Sequence, residues 1–293
     1  MTWFSYHGGH SGQFCRHAKG RLREVVLRAI EAGFTHYGLS EHAPRDETTW
    51  LFPDEQDLTP EDLAAGFVEY AREAHALREE FSEHIELLVG FETEMLPPNG
   101  WAERMLELQH QGPFEYMLGS VHNVGNDWID VSPEATVAAA ERAGSRQALE
   151  LGYFRSLADL VTSLRPQVVG HLDLIRKFDG PSADFEPAVR KQIDLTLEAV
   201  REVRAILDVN AGAHRRGLSP VYPLPFILER ARQMNIGVTL GDDGHGPHDV
   251  GVGLDACMKA IASAGYRQVH YLCREGGEVV LRAAPIDEVR PNL

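Results

Sequence analysis

Cysteine is scarce in this chain: three residues, at positions 15, 257 and 273 of 293. An odd number spaced so widely excludes a disulfide framework and a zinc site made of cysteine alone. No apolar run approaches the roughly 20 residues that span a bilayer, so no transmembrane helix and no membrane partner are expected. Met1 leads straight into Trp3, Phe4 and Tyr6. A basic segment followed by an apolar stretch and a small-residue cleavage site is missing, and the expected compartment is the cytoplasm. Positive charge is also short: 28 Lys and Arg face 44 Asp and Glu, a formal net charge of −16. Nucleic-acid binding draws its affinity from phosphates neutralised by Lys and Arg, which makes long polyanions poor partners and a small substrate the expectation. A single phosphate met by a few local arginines remains compatible with that charge. Low-complexity tracts and repeats of fixed period are absent, and no glycine-rich fingerprint follows the first strand, so a dinucleotide-binding fold has little support.

What the chain does contain is a repeated helix-to-strand unit. Residues 20–33, GRLREVVLRAIEAG, put Leu22, Val25, Val26, Ala29 and Ile30 on one helical face, and the strand FTHYGLSEH follows. Helical stretches over about 60–80, 101–110, 134–163, 186–204, 223–234 and 254–264 then alternate with ELLVGFE, YMLGSVH, QVVGHL, AILDVNA, GVTLGDD and QVHYLC. With WFSYH at the start, this makes seven or eight strands. Continuous apolar strands separated by helices predict a parallel sheet covered on both faces. The expected architecture is α/β, a closed and distorted TIM-like barrel forming one domain over residues 1–293; a doubly wound open sheet is the rival. Two irregular stretches, 43–60 and 210–224, are long enough to suggest functional loops. In the first, Trp50, Leu51 and Phe52 are expected to close over a substrate, and Trp50→Ala to raise KM.

Histidines fall at the strand ends. His7 and His10 follow strand one, His42 ends YGLSEH, His122 ends MLGSVH, His171 lies in VVGHL and His245 follows TLGDDGH, while Glu92 closes LLVGFE. The C-terminal ends of all strands of a β/α barrel meet at one face, so these scattered residues predict one cluster there. Imidazole and carboxylate at that density suit Zn, Fe or Mn, and a carboxylate can bridge two ions. His36, His75, His84, His110 and His270 lie in helices, at strand starts or on polar faces and are read as structural; His214 and His248 stay open. Cys15, inside the cluster segment, could ligate a soft metal, but a small buried thiol packing beneath the loop is the favoured reading.

The segments HSGQFCRH, GLSEHAPR, GFETE, GSVHNV, VVGHLDLIRKF, NAGAHRR and GDDGHGPHDVG resemble, as an ordered set, the polymerase and histidinol phosphatase (PHP) superfamily, and within it the histidinol-phosphate phosphatases. The resemblance covers most of the chain and fades over the last forty residues. It implies a distorted (β/α)7 barrel with a centre of two or three divalent transition metals, Zn, Mn or Fe, at the C-terminal ends of the strands. The implied ligands are His7, His10, His17, His42, Glu92, His122, His171, Asp243 and His245, with Glu92 bridging. Arg176 and Arg215 are the implied contacts to substrate phosphate, ahead of Arg216. One departure stands out: the family has one residue between its first two histidines, and this chain has two, Gly8 and Gly9. One extra residue in a strand reverses side-chain direction, but glycines can absorb it as a bulge, so His7 is still expected to bind.

The function this implies is a metal-dependent phosphomonoesterase that converts L-histidinol phosphate to L-histidinol and phosphate in histidine biosynthesis. A hydroxide bridging the metals is the expected nucleophile. Asp243, His245 and His214 are the candidate donors of a proton to the leaving alcohol. The alternatives are a nucleotide phosphatase or nuclease of the same superfamily, and a non-catalytic metal or ligand-binding protein, which the altered His7 spacing would favour. A metal-dependent amidohydrolase would be expected to carry a bridging lysine, and none is apparent.

Overall fold

The computed structural model describes residues 2–179, 184–215, 217 and 221–290. In chain order the elements are β1 (Phe4–Ser5), α1 (Leu22–Glu31), β2 (His36–His42), α2 (Pro60–Glu80), β3 (Glu86–Glu92), α3 (Trp101–Gln111) and β4 (Tyr116–Gly119). A small ribbon, β5 (Asn123–Val124) and β6 (Asp127–Trp128), precedes α4 (Pro133–Ala143), α5 (Arg146–Leu164) and β7 (Val168–Val169). The chain continues through α6 (Pro187–Val203), β8 (Ile206–Asn210), the single turn α7 (Gly212–Arg215), α8 (Pro225–Gln233), β9 (Val238–Gly241) and α9 (Leu254–Ser263). It closes with β10 (Gln268–Glu275) and β11 (Glu278–Pro285).

Seven parallel strands make one sheet in the order β1-β2-β3-β4-β7-β8-β9. Its two ends meet. The Tyr6 amide donates to the Leu240 carbonyl at 3.0 Å and the Asp243 amide to the His7 carbonyl at 2.7 Å, so the sheet curls into a nearly closed α/β barrel of the TIM type. The barrel strands are buried apart from the half-buried His36 and His42 at the ends of β2 and Glu86 at the start of β3, and three tyrosines, Tyr6, Tyr37 and Tyr116, are fully buried with them. The segment QVHYLC, counted as a possible eighth strand, pairs instead with β11 as an antiparallel hairpin outside the barrel. Its Tyr271 stacks on Phe4 at 5.5 Å, beside the first strand.

Local chemistry sets the helix limits. Thr59 caps α2 by accepting from the Asp62 amide, Asp62 returns the bond, and Pro60 supplies the preset first turn. The single helix expected over 134–163 is two helices. Gly144 ends α4 with φ of 92°, a left-handed conformation that glycine adopts without strain, and Ser145 then caps α5. Among the described residues no helix is long and apolar enough to cross a membrane.

Candidate metal centre

Parallel register places the first two site residues side by side. His42 and Glu92 are partners at the C-terminal ends of β2 and β3, and because paired residues in parallel strands share a face, both side chains project together. His122 and His171 follow β4 and β7, Asp243 and His245 follow β9, and His7, His10 and His17 follow β1. All nine side chains converge. Glu92, 1% exposed, is the hub. His7, His122 and His171 point Nε2 at its Oε1 from 3.3, 3.3 and 3.2 Å, while His10 Nε2 and His42 Nδ1 stand 3.6 and 3.3 Å from its Oε2.

The extra residue between His7 and His10 is taken up by the backbone. Gly9 has φ of 80°, which only glycine adopts freely, and its α-carbon lies against Leu39 so closely that a Cβ would meet the Leu39 side chain at 2.8 Å. A Cβ on Gly8 would strike the Asp242 carboxylate. With this bulge in place, His7 Nε2 lies 3.6 Å from Asp243 Oδ1 as well as close to Glu92. Asp243 is itself in the left-handed region, at φ of 51°, a conformation that aspartate tolerates better than most residues.

Three imidazoles are oriented from behind by a carboxylate. His7 Nδ1 is 2.7 Å from Asp208 Oδ2, His10 Nδ1 is 3.2 Å from Glu41 Oε1, and His122 Nδ1 is 3.0 Å from Glu94 Oε2. An acceptor on Nδ1 fixes the hydrogen there and leaves the Nε2 lone pair facing the cluster, the arrangement that metal-binding histidines need. Burial alone would depress the pKa of His122, but the facing Glu94 and Glu92 outweigh it and raise the value well above that of a free imidazole. Glu92 shows the reciprocal effect: burial would raise it, but His7, His122 and His42 hold it well below the usual carboxylate range.

A second group lies on the outer side. His17, His42 and His245 bring ring nitrogens within 4.8 Å of one another and of Cys15 Sγ. His245 Nδ1 is 3.0 Å from the Asp243 carbonyl, which again directs Nε2 inward.

Above the cluster opens a cavity of about 580 Å³. Its metal-side wall carries Glu92, His122, His171, Asp243 and His245; Arg215 and Lys177 add positive charge, and Asp54, Asp130 and Asp249 add carboxylates. Arg215 donates to the Asp242 and Asp243 carbonyls at the end of β9. Arg176 does not line the cavity. It is 3% exposed, donates to Asp173 Oδ2 at 2.6 Å and to the Val221 carbonyl at 2.6 Å, and lies 4.5 Å from the Tyr222 ring centroid. Its guanidinium is engaged in holding the chain after β7, and its neighbour Lys177 faces the cavity instead. His214 is exposed, and His248 lies on the surface at 61% exposure. Arg216 lies outside the described residues. Of Trp50, Leu51 and Phe52 in the 43–60 loop, Phe52 alone lines the cavity, followed by Pro53 and Asp54. The Phe52 ring packs 5.5 Å from His17, 6.1 Å from His42 and 4.6 Å from Trp128.

Several contributors escaped sequence reading. Glu94 stands two residues beyond Glu92, on the same face of an extended chain, and its Oε1 lies 3.4 Å from His42. Asp208 is a carboxylate inside the apolar strand AILDVNA, a position where an acidic residue needs a partner. Both signals were present in the spacing.

The donor set fits divalent metal. His7 Nε2, His10 Nε2, both nitrogens of His42 and one oxygen each of Glu92 and Glu94 are buried and make no hydrogen bond among the described residues. Buried polar atoms without partners are costly unless an ion or water satisfies them. Imidazole donors in this number suit a transition metal.

Comparison with known proteins agrees with this geometry. The PHP domain profile matches residues 7–212. A Schizosaccharomyces pombe protein named probable histidinol-phosphatase is 34% identical over 287 residues, spanning 96% of this chain and 94% of its own. The Saccharomyces cerevisiae histidinol-phosphatase is 24% identical, spanning 91% and 90%. The crystal structure of the Lactococcus lactis histidinol phosphate phosphatase, complexed with Zn, L-histidinol and phosphate, superposes with a TM-score of 0.72 at 20% identity, covering 95% of this chain and 99% of that one. With the strand order, the strand-end histidines and these matches in agreement, the chain belongs to the PHP domain family.

Proposed function

We propose that the protein hydrolyses L-histidinol phosphate to L-histidinol and inorganic phosphate in histidine biosynthesis. The observation that carries this reading is the buried imidazole and carboxylate cage at the floor of a cavity that also presents Arg215 and Lys177. The names of the fungal relatives and the molecules held by the Lactococcus lactis protein support the same substrate. The cytoplasm is the proposed compartment, with three free, buried cysteines as support.

The residues fit two or three divalent ions, Zn, Mn or Fe, which we assign to His7, His10, Glu92 and Asp243; to Glu92, His122 and His171; and to His17, His42 and His245. Such ions, when bound, supply water acidified to near neutrality and positive charge for the phosphoryl oxygens.

The chain's own residues do the rest. Arg215 is anchored to the Asp242 and Asp243 carbonyls through its two terminal nitrogens, with Nε 3.7 Å from Asp249 Oδ1, and it is the cavity-lining guanidinium we assign to phosphate oxygens. Lys177 bonds the Asp130 carbonyl and lies 3.2 Å from its carboxylate, so it reaches the cavity as a positioned cation. Asp54, in the turn after Phe52, offers a carboxylate for the cationic amino end of histidinol, and Phe52 offers a flat apolar surface for the imidazole. Asp243 and His245 face the cavity, His214 being exposed. Despite burial, Asp243 is held as a carboxylate by the neighbouring His7 and His245. It is the group we assign to take the proton released by the attacking water and pass it to the leaving alkoxide, with His245 beside it. The cavity's size matches a small ligand, and its acidic rim repels a polyanion.

The test is phosphate release from L-histidinol phosphate, compared with a panel of nucleoside monophosphates and repeated for His10→Ala. Release from histidinol phosphate alone, lost in the variant, supports the reading. Release from nucleotides alone overturns the substrate. No release after addition of Zn, Mn or Fe overturns the enzyme reading.

A further inference from the structure

We propose that Cys15 is a metal ligand, the fourth donor of the outer site formed by His17, His42 and His245. This rests on the metal reading above and adds a sulfur to a centre otherwise made of nitrogen and oxygen.

The thiol stands among three imidazoles of the cluster. Cys15 Sγ lies 3.3 Å from Nε2 and 3.4 Å from Nδ1 of His17, and it shares a 4.8 Å envelope with ligand atoms of His42 and His245. Zinc binds sulfur at about 2.3 Å and imidazole at about 2.0–2.1 Å, so two such donors on one tetrahedral ion stand roughly 3.6 Å apart. The Sγ-to-Nε2 distance is close to that, and the near-equal distance to Nδ1 means that the His17 ring has to turn for both donors to meet one ion. A second observation is independent of the thiol: His42, whose side chain is 10% exposed, has neither ring nitrogen in a hydrogen bond among the described residues. Three histidines alone leave a tetrahedral ion with one open position. Here the sulfur stands beside them, 3% exposed, held in place by the Cys15 amide donating to the Ser11 carbonyl at 2.8 Å.

A thiolate changes what the site prefers. Soft sulfur favours zinc or iron over manganese, whereas three imidazoles discriminate little. The outer site then becomes the selective one, and the inner sites, made of imidazole and carboxylate, the permissive ones. The other two cysteines provide the control, because Cys257 lies in α9 and Cys273 in the outer hairpin.

The experiment loads the chelator-stripped full chain with Co(II) and records the near-ultraviolet thiolate-to-cobalt charge-transfer band, together with metal content per chain. The expected result is a band in the wild type and in the Cys257→Ala, Cys273→Ala double variant. It is lost in Cys15→Ser and in Cys15→Ala, with zinc affinity of the outer site weakened at least tenfold, as befits removal of a ligand. Circular dichroism confirms that the variants fold, and Cys15→Asp should recover the stoichiometry without the band. Wild-type protein that takes up cobalt without a band, or a band that survives Cys15→Ser, overturns the assignment and leaves the metal reading standing. Wild-type protein that takes up no metal overturns that reading itself.

Discussion

Asp208 Oδ2 lies 2.7 Å from Nδ1 of His7, joining β8 to the residues just after β1, with the Asn210 amide donating to the same oxygen at 2.9 Å. This contact selects which nitrogen of His7 faces Glu92. Asp208→Asn should therefore weaken metal binding by about tenfold to a hundredfold, the usual cost of losing a carboxylate behind a ligating histidine. Titration of the stripped protein against a zinc chelator would measure it. Unchanged affinity would show that the tautomer of His7 is set by something other than Asp208.

Glu94 touches both His42 and His122. Glu94→Gln keeps the volume and removes the charge that holds those imidazoles in place. Turnover at limiting metal should fall at least tenfold and recover in part with excess metal. A loss of kcat that excess metal leaves untouched would assign Glu94 to the chemistry rather than to the cage.

Arg45 and Glu55 form a buried ion pair, 4% and 1% exposed, beneath the turn that carries Phe52 and Asp54. Glu55 also accepts from the Phe52 amide at 2.9 Å, and the Arg45 guanidinium lies 4.4 Å from the Phe52 ring centroid. Arg45→Ala leaves a buried carboxylate unpaired, a change that costs about 3–5 kcal/mol. Thermal denaturation should register that loss. In protein that stays folded, KM should rise more than kcat falls, because the turn lines the cavity but touches no reacting atom. By the same logic Phe52→Ala, and not Trp50→Ala, should raise KM.

Chelation should lower Tm, since an ion that binds only the folded state adds about 4 kcal/mol at a thousandfold excess over Kd. The pH dependence has a definite sign. Carboxylates overcome burial to raise the pKa of His7 and His122 well above the free value, so protons occupy these nitrogens at neutral pH in stripped protein. Metal needs the neutral ring. Uptake should release protons, and affinity should climb as pH rises; calorimetry in buffers of different ionisation enthalpy would count them.

Gly9→Ala places a Cβ where φ is 80° and Leu39 leaves no room. A left-handed alanine costs about 1–2 kcal/mol before any steric term. Stability and metal stoichiometry should fall together. Stability loss with full metal content would mean that the bulge supports the strand without aiming His7.

The barrel and the convergence of the histidines were legible because both follow from period and placement. Apolar strands alternate with amphipathic helices, and His42, Glu92, His122 and His171 sit where strands end. The break between α4 and α5 was harder to see, since Gly144 lies inside a continuous helical pattern and only its left-handed φ stops the helix. QVHYLC has the composition of a barrel strand, and its exclusion depends on pairing with β11, a non-local fact.

Side-chain roles were less legible than positions. Arg176 and Lys177 are adjacent, and which of them meets the cavity is decided by Asp173 and the Tyr222 ring, neither of which spacing reveals. Glu41, Glu94 and Asp208 act through a histidine, so their contribution depends on three-dimensional neighbours. Glu94 and Asp208 nonetheless had readable signals, one from its two-residue step beyond Glu92 and the other from its place in an apolar strand.

The barrel is closed where β1 meets β9, and the cage draws on both: His7 and His10 come from the start of the chain, Asp243 and His245 from beyond residue 240. During synthesis, the first histidines leave the ribosome long before their partners exist. A nascent chain lacking β9 can offer a passing ion only loose, incomplete chelation. Metal acquisition is thereby made one of the last events in the birth of the molecule, and a chain halted before β9 would be left with neither its seam nor its cargo.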